Sequence, residues 1–507
     1  MAYGTTGHRG RPVKGDAMNT TTYEPVIGME IHAELRTASK MFCGCPVVDT
    51  TVAPPNTAIC PVCTGLPGAM PVVNQRAVEQ AMMVGLALGC TINAHTSFSR
   101  KNYFYPDLPK GYQISQYDEP IAVNGWLDVV DDAGRTIRVG IRRAHMEEDT
   151  AKLFHLPATH VEGAAYTLID FNRSSVPLLE IVSEPDMHSV SAAYVYANKI
   201  REILRYLGVN SGDMEKGVLR FEANVSVRPA GTTTLGTRTE IKNLNSFRTL
   251  VRAVEYEIDR QIRVLEAGGT ILQETLGWDE LNGTTYSQRS KEHAHDYRYF
   301  PEPDLPPLAI DDAWIEEVRA TLPELPDAKA SRFAEVLGLP ENDTRILVGD
   351  RALADYFEAA TAAYAGLPAA ISKWVVGELS YLMNRDGVTV DAVRVEPAAL
   401  AGLVKLLDKG VINQNSAKDV LGTMFETGKQ PDEIVKERGL VQIADQDALS
   451  LIADQVLAEH PDEVQAYLEG KETLLQWFMG QVMRATRGRA QPQTVLQLLR
   501  EKLEGRR

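Results

Sequence analysis

A cluster of prolines, Pro301, Pro303, Pro306 and Pro307, followed by Pro323 and Pro326, divides the chain into two stretches whose side-chain periods differ. Proline lacks a backbone donor and resists helix continuation, so the cluster reads as a semi-rigid linker. Before it, alternation dominates. Over residues 220–228 the polar side chains Arg220, Glu222, Asn224, Ser226 and Arg228 face one way. Phe221, Ala223, Val225 and Val227 face the other, the period of a half-buried strand. Residues 168–172 alternate more weakly, and 178–182 is an apolar run interrupted by Glu180. Helices are expected among these strands over 75–88 and 247–267. After the prolines the pattern is helical nearly throughout, with periodic segments around 328–337, 350–365, 369–383, 397–408, 415–425, 445–458, 461–468, 471–486 and 492–504. Gly402 and Gly410 predict a further break near 405–412.

The fold expected is therefore α+β. A large antiparallel-sheet domain occupies 23–300, a proline-rich linker and helical domain 301–407, and a helical tail 408–507. At 507 residues the chain is long enough for three or four domains. Hydrophobic residues at 44% and charged residues at 24% exclude a collagen, a disordered tail protein and a membrane protein. The longest apolar stretch, 81–92, is well short of the ~18 residues that cross a bilayer. Residues 1–22 carry no apolar segment of the signal-peptide kind and read as a disordered leader, with Met18 an alternative start. Five cysteines without an export signal imply a reducing compartment, and the cytoplasm is the expected location.

The net charge, 52 − 68 = −16, does not exclude an RNA partner, because charges beyond a Debye length of ~8 Å are largely screened. From Gln476 onward seven Lys and Arg, among them Arg484, Arg487 and Arg489, face two Glu. That patch reads equally well as a solvated helix face or as a nucleic-acid contact.

The sharpest local motif is Cys43-x-Cys45 followed, after fourteen residues, by Cys60-x-x-Cys63. Four thiolates in close pairs suit a tetrahedral structural zinc, although C-x-C is tighter than the usual spacing. A second constellation is acidic. Glu30 and His32 lie two apart, as do Glu222 and Asn224, so each pair shares a strand face. Glu147, Glu148 and Asp149 form a dense run, and Glu180 and Glu184 sit on a strand and its exit. Carboxylates projecting from half-buried strands are costly unless neutralised, and Mg²⁺ with a nucleotide's phosphates is the natural partner. The chain has no P-loop, no G-x-G-x-x-G and no nucleophile elbow, so any ATP must be held by metal and side chains. Residues 99–116 and 289–301 mix Arg and Lys with Tyr, Phe and His, including Lys101, Arg298 and Tyr299. Such a mixture can pair with phosphate and stack on an unpaired base, or form a packing layer.

Residues 27–32 (IGMEIH), 100–116 (RKNYFYPDLPKGYQISQ), 145–149 (HMEED), 170–186 (DFNRSSVPLLEIVSEPD), 289–305 and the tail segment 480–489 (GQVMRATRGR) occur in the order found in one family. The chain resembles the B-subunit family of the tRNA-dependent Asp/Glu amidotransferases over residues 23–507. The resemblance implies a glutamine synthetase-like cradle followed by a tail of the YqeY kind. It implies a ligase that spends ATP to phosphorylate the side-chain carboxylate of Glu on tRNA(Gln) or Asp on tRNA(Asn), then replaces phosphate by ammonia. It further implies an amidase partner A that releases ammonia from glutamine and a small partner C, the three forming a heterotrimer. Carried over by position, Glu30, His32, Glu148 and Glu180 hold Mg²⁺ and act in catalysis with Lys101, near the mouth of an ammonia channel. Glu147, Glu184, Glu222, Asn224, Arg298 and Tyr299 are further ATP- or substrate-binding residues. Cys43, Cys45, Cys60 and Cys63 hold an accessory zinc, and Arg484, Arg487 and Arg489 grip the tRNA. Ser175 stands where the family pattern has Gly, at a turn that calls for positive φ, and His293 where it often has Glu. The alternative reading is a non-catalytic RNA-binding scaffold; a metal-dependent ligase of small molecules is the third.

Overall fold

In the computed structural model residues 22–156, 166–290, 297–441, 446–486 and 489–506 are described. Alternate residues of Tyr23–Glu34 (β1) divide sharply: Ile27, Met29, Ile31 and Ala33 are buried, while Gly28, Glu30, His32 and Glu34 share the opposite face. The same division runs through the neighbouring strands and fixes their registers, since a slip of one residue would turn every apolar side chain outward. The strands are Ser99–Asn102 (β2), Tyr112–Ser115 (β3), Ala122–Val130 (β4), Thr136–Glu148 (β5), Pro177–Ser183 (β6), Leu219–Pro229 (β7), Thr239–Leu244 (β8), Glu274–Asp279 (β9), Thr284–Ser290 (β10) and Phe300–Pro301 (β11). With the short strand Thr91–Ile92 they make one 12-stranded sheet. Its order is β10-β9-β8-β7-β1-β6-β5-β3-β2-β11, and β4 also pairs with β5. Every named pairing is antiparallel except β8 with β9.

Helices cover the apolar face. Gln75–Ala87 (α1) starts at Asn74, whose side chain accepts from the amides of Arg76 and Ala77. Val190–Tyr206 (α2) is capped by Ser189 and Phe247–Glu266 (α3) by Ser246. The Phe221 ring of β7 meets Phe247 of α3 at 5.4 Å. Each such side chain removed from water contributes ~1.5–3 kcal/mol, so this face carries the stability of the sheet and leaves the other free for charge. Helix α2 is an addition to the sequence reading, which placed only 75–88 and 247–267 in helices here. Its signal is present: Ser189 as a cap, then Ala193, Tyr196, Ala197, Ile200, Ile203 and Leu204 at helical spacing, all buried. The proline-rich linker also contains a helix, Asp312–Ala320, capped by Asp311.

The chain parts into two compact units between Pro323 and Glu324. The second unit is helical. The helices Pro397–Asp408, Gln414–Thr427 and Pro431–Glu437 pack on one another, so the break expected near 407 falls inside a packed group. Gly410, at φ 66°, only ends a helix. A separate apolar core, built on Leu449, Leu457, Phe478, Val482, Val495, Leu499 and Leu503, begins further along. Among the described residues no helix is long and apolar enough to cross a membrane.

Candidate active site

Because β7, β1, β6 and β5 are adjacent and in register, their polar residues line up across the sheet as rungs. Arg220, His32, Glu180 and His145 form one rung, and Glu222, Glu30, Val182 and Arg143 the next. Asn224 pairs with Glu240 of β8, which pairs with Thr275 of β9. The rungs floor a cavity of about 660 Å³, walled by Lys101, Tyr105, Tyr117, Arg238, Lys242, Tyr297 and Tyr299. Residues more than 200 positions apart in sequence therefore meet through strand pairing alone.

The carboxylates fall into two groups. In the first, His32 Nε2 lies 3.6 Å from Glu180 and 4.0 Å from Glu147, and His145 Nε2 lies 3.3 Å from Glu180. In the second, Glu30 accepts from Asn224 at 3.0 Å, and Lys242 Nζ stands 2.6 Å from Glu222 and 3.1 Å from Glu240. Thr275 donates to Glu240 at 2.9 Å. The local field is strongly negative. Burial disfavours a charged imidazole at His32, yet the hydrogen bond and charge of Glu180, with Glu222 and Glu147 behind it, raise its pKa to about 9. Burial and the neighbouring Glu180, Glu222 and Glu240 push Glu30 up. Burial opposes charge at Glu180 too, but His145 and His32 hold it well below the usual carboxylate range. Lys101 is raised: burial works against its charge, but Glu147, Tyr299, Glu180 and Tyr103 together outweigh it.

A divalent cation fits the first group. The ligand atoms of His32, Glu147 and Glu180 lie within 4.8 Å of one another, and so do those of Glu30, Glu222 and Glu240. His32 Nδ1 and Glu147 Oε2 are buried without a hydrogen-bond partner, which is costly unless another group satisfies them. Oxygen donors with one imidazole suit Mg²⁺ or Mn²⁺.

Several expected residues are elsewhere. Glu148, expected as a metal ligand, points to the other face of β5, because side chains alternate and Glu147 is the one aligned with His145. There Glu148 is 2% exposed, pairs with Lys110 and accepts from the amide of Ile114 at 3.0 Å. Glu184 does not line the cavity either. A bulge between Val182 and Ser183 re-aims the strand exit, and Glu184 lies over Gly140 with its carboxylate 3.9 Å from Arg142. Arg298, at φ 44°, is exposed and uses its carbonyl to accept from Asn102 at 2.8 Å, while Tyr299 lines the cavity. Glu30, His32, Lys101, Glu147, Glu180, Glu222 and Tyr299 are brought together, and Asn224 joins them through Glu30. The sequence reading missed Glu240, Lys242, Arg238, Arg143 and Tyr117. Glu240 and Lys242 carried a signal, two charged residues two apart on either side of the apolar Ile241. His293 and Arg487 lie outside the described residues.

A second cluster sits in the loop after β1. The Sγ atoms of Cys43, Cys45, Cys60 and Cys63 lie within 4.8 Å of one another. The Cys63 thiol accepts from the Cys60 amide at 3.1 Å. A hydrogen bond from Cys43 holds it down at about 5 against the pull of burial, and the charge of Lys40 adds to this. Lys40 is fully buried and donates to the Phe171 carbonyl at 3.2 Å. Four sulfurs at this spacing, one already favouring its thiolate, fit a tetrahedral zinc. Ser175 adopts φ 67°, the left-handed conformation anticipated at that turn, and its amide donates to Asp149 at 2.9 Å. In the tail Arg484 is exposed, whereas Arg489 is half-buried and donates to the carbonyls of Thr486 at 3.2 Å and Gly439 at 3.4 Å.

Comparison with known proteins identifies the family. Residues 25–316 match the model of the GatB/GatE catalytic domain, and residues 355–503 match that of the GatB domain of the YqeY kind. Proteins named as the B subunit of aspartyl/glutamyl-tRNA(Asn/Gln) amidotransferase are similar along nearly the whole chain. That of Thermoanaerobacter sp. (strain X514) is 52% identical over 95% of this chain and 99% of its own length. Those of Carboxydothermus hydrogenoformans and Persephonella marina are 51% and 48% identical over 95% of this chain, and over 99% and 100% of their own lengths. Together the catalytic-domain match, the tail match and this identity place the chain in the GatB/GatE family, the B subunits of tRNA-dependent amidotransferases.

Proposed function

We propose that the carboxylate-floored cavity phosphorylates the side-chain carboxylate of Glu on tRNA(Gln), or of Asp on tRNA(Asn), and exchanges the phosphate for ammonia. The observation that carries this reading is the convergence of His32, Glu180, Glu30, Glu222 and Glu240 in a cavity ringed by Lys101, Arg238 and Lys242, with the buried Glu147 clustered against His32 and Glu180. Activating a carboxylate with ATP brings a polyphosphate against a second anion, so the site must offer both metal ligands and cationic side chains. Mg²⁺, bound by His32, Glu147 and Glu180, supplies neutralisation of phosphate charge when present. Glu30, Glu222 and Glu240 form a second candidate cradle, in which Lys242 stands as the counter-charge.

The chain's own groups account for the rest. His145 holds Glu180 in its ionised form and fixed orientation, as an outer partner does for a ligand. Lys101 and Arg238 balance the anions of ATP and of the acyl phosphate. The carboxylate oxygen attacks the γ-phosphorus and ADP leaves. The nitrogen lone pair of ammonia then attacks the acyl carbon, the C–O bond to phosphate breaks, and nitrogen gives up a proton. The ammonia comes from the amidase partner A, the small partner C completes the complex, and the basic tail with Arg484 and Arg487 contacts the tRNA. Zinc held by Cys43, Cys45, Cys60 and Cys63 is structural, since protein fills every tetrahedral position. The cytoplasm is the proposed location.

The test is co-expression with the candidate A and C partners, followed by conversion of Glu-tRNA(Gln) and Asp-tRNA(Asn) in separate reactions with ATP and either glutamine or ammonium. Conversion of one or both, with one ADP released per amide, is expected. RNA binding without ADP release favours the scaffold instead, and amidation of free amino acids without tRNA favours the small-molecule ligase.

A further inference from the structure

Beside the carboxylate-floored cavity lies a second hollow of about 440 Å³, and Tyr105 is a wall of both. The second hollow is formed by the loop 103–111 between β2 and β3, chiefly Phe104, Pro106, Leu108 and Pro109. This loop is tightly tied. Tyr103 donates its amide to Gly111 at 3.2 Å, Gly111 to Leu108 at 3.0 Å, and Ala151 to the Asp107 carbonyl at 3.0 Å. Leu108 is buried in the protein beneath. At the top of this fixed frame Phe104 is 82% exposed. Its ring rests on Gly111, where an added Cβ would come within 3.1 Å of the ring edge, and the rest of the ring meets solvent. A rigid loop that holds a bare aromatic ring open loses little order when a flat ligand settles on it.

We propose that this hollow receives the 3′-terminal adenine of the aminoacyl-tRNA, stacked on Phe104 with Tyr105 as the shared wall, while the attached amino acid reaches into the cavity. The inference rests on the function proposed above and adds to it a base subsite. Its chemistry is direct. The amino acid is esterified to the terminal ribose, so the base lies one nucleoside from the reacting carboxylate and must lodge on a surface continuous with the cavity. The other aromatic faces there are engaged. Tyr117 and Tyr299 stack on each other at 4.6 Å, Arg143 covers Tyr117 at 4.6 Å, and Lys101 lies 5.1 Å from the Tyr297 ring. Among the described residues, Phe104 and Tyr105 are left. Stacking of an unpaired base on an exposed ring is the usual way proteins hold single-stranded RNA ends.

The test uses the complete heterotrimer with Phe104→Ala and Phe104→Tyr, varying misacylated tRNA and ATP separately. Phe104→Ala is expected to raise KM for the tRNA about tenfold, the size of one lost base–aromatic stack, and to leave KM for ATP in place. Phe104→Tyr, which keeps the ring, is expected to restore it. An unchanged KM for tRNA overturns the proposal. So does a rise in KM for ATP instead, which assigns the hollow to the nucleotide's adenine, or loss of either partner on purification, which assigns Phe104 to a protein contact. If the wild-type complex makes no amide at all, the function fails; if it does and Phe104→Ala is silent, only the base subsite fails.

Discussion

The four-cysteine cluster and the His32, Glu147 and Glu180 cluster, both fit for a metal, are made in opposite ways. The four cysteines come from 21 consecutive residues of one loop, and their spacing alone announces them. The carboxylate and histidine cluster comes from β1, β5, β6 and β7, and only strand pairing brings His32, Glu147 and Glu180 together. A local site is written in spacing; a site on a sheet is written in register, which a sequence carries only as alternation. Adjacent Glu147 and Glu148 show the consequence: one lies beside His32 and the other is locked to Lys110 behind the sheet.

The largest effect expected falls on the sheet site. Glu180→Gln removes the group that both His32 and His145 face, and amidation by the complex should fall by more than about 100-fold, with the melting temperature little changed. Steady-state amide formation beside a melting curve checks this; an active Glu180→Gln breaks the assignment. Glu148→Gln should do the reverse. It leaves Lys110 without its buried partner and should cost about 3 kcal/mol of stability by denaturant unfolding.

The loop site should respond as structure rather than chemistry. Cys63→Ser, or zinc removal by a chelator, should lower the unfolding temperature by several degrees, on the order of 2 kcal/mol for one lost ligand. The Mg²⁺ concentration that half-saturates amidation should stay where it was. A shift in that concentration would mean that the two sites are coupled, and one route for coupling is visible. Gly65 of the cysteine loop, at φ 71°, abuts Lys110 so closely that any Cβ there collides with the lysine stem. Gly65→Ala should therefore destabilise by roughly 1–3 kcal/mol, measurable by denaturant titration.

Ser175 offers the smallest change, with a favourable sign. It holds φ 67° and its buried hydroxyl has no partner, so Ser175→Gly should stabilise by up to about 1 kcal/mol. A loss of stability would show that the turn depends on the hydroxyl.

Much of this was legible in the sequence. Alternation over 220–228 placed Glu222 and Asn224 on one face and Phe221, Val225 and Val227 in the core, and the two-residue step did the same for Glu30 and His32. What was not legible depends on pairing. Nothing local distinguishes Glu147 from Glu148, since each is a carboxylate in the same acidic run. Glu184 lies an even number of residues from Glu180, and only the bulge after Val182 removes it from the cavity. Helix α2 escapes a reading by period although Ser189 caps it, because its apolar spacing follows closely on a strand in a region where alternation dominates.

The most direct test of the sheet site is metal binding itself. Mn²⁺, standing in for Mg²⁺, can be titrated by electron paramagnetic resonance into the complex carrying Glu147→Gln and, separately, Glu148→Gln. The geometry predicts that Glu147→Gln weakens a Mn²⁺ site at least about tenfold while folded Glu148→Gln retains it. Retention by Glu147→Gln together with loss in a folded Glu148→Gln would contradict the register and the site built on it.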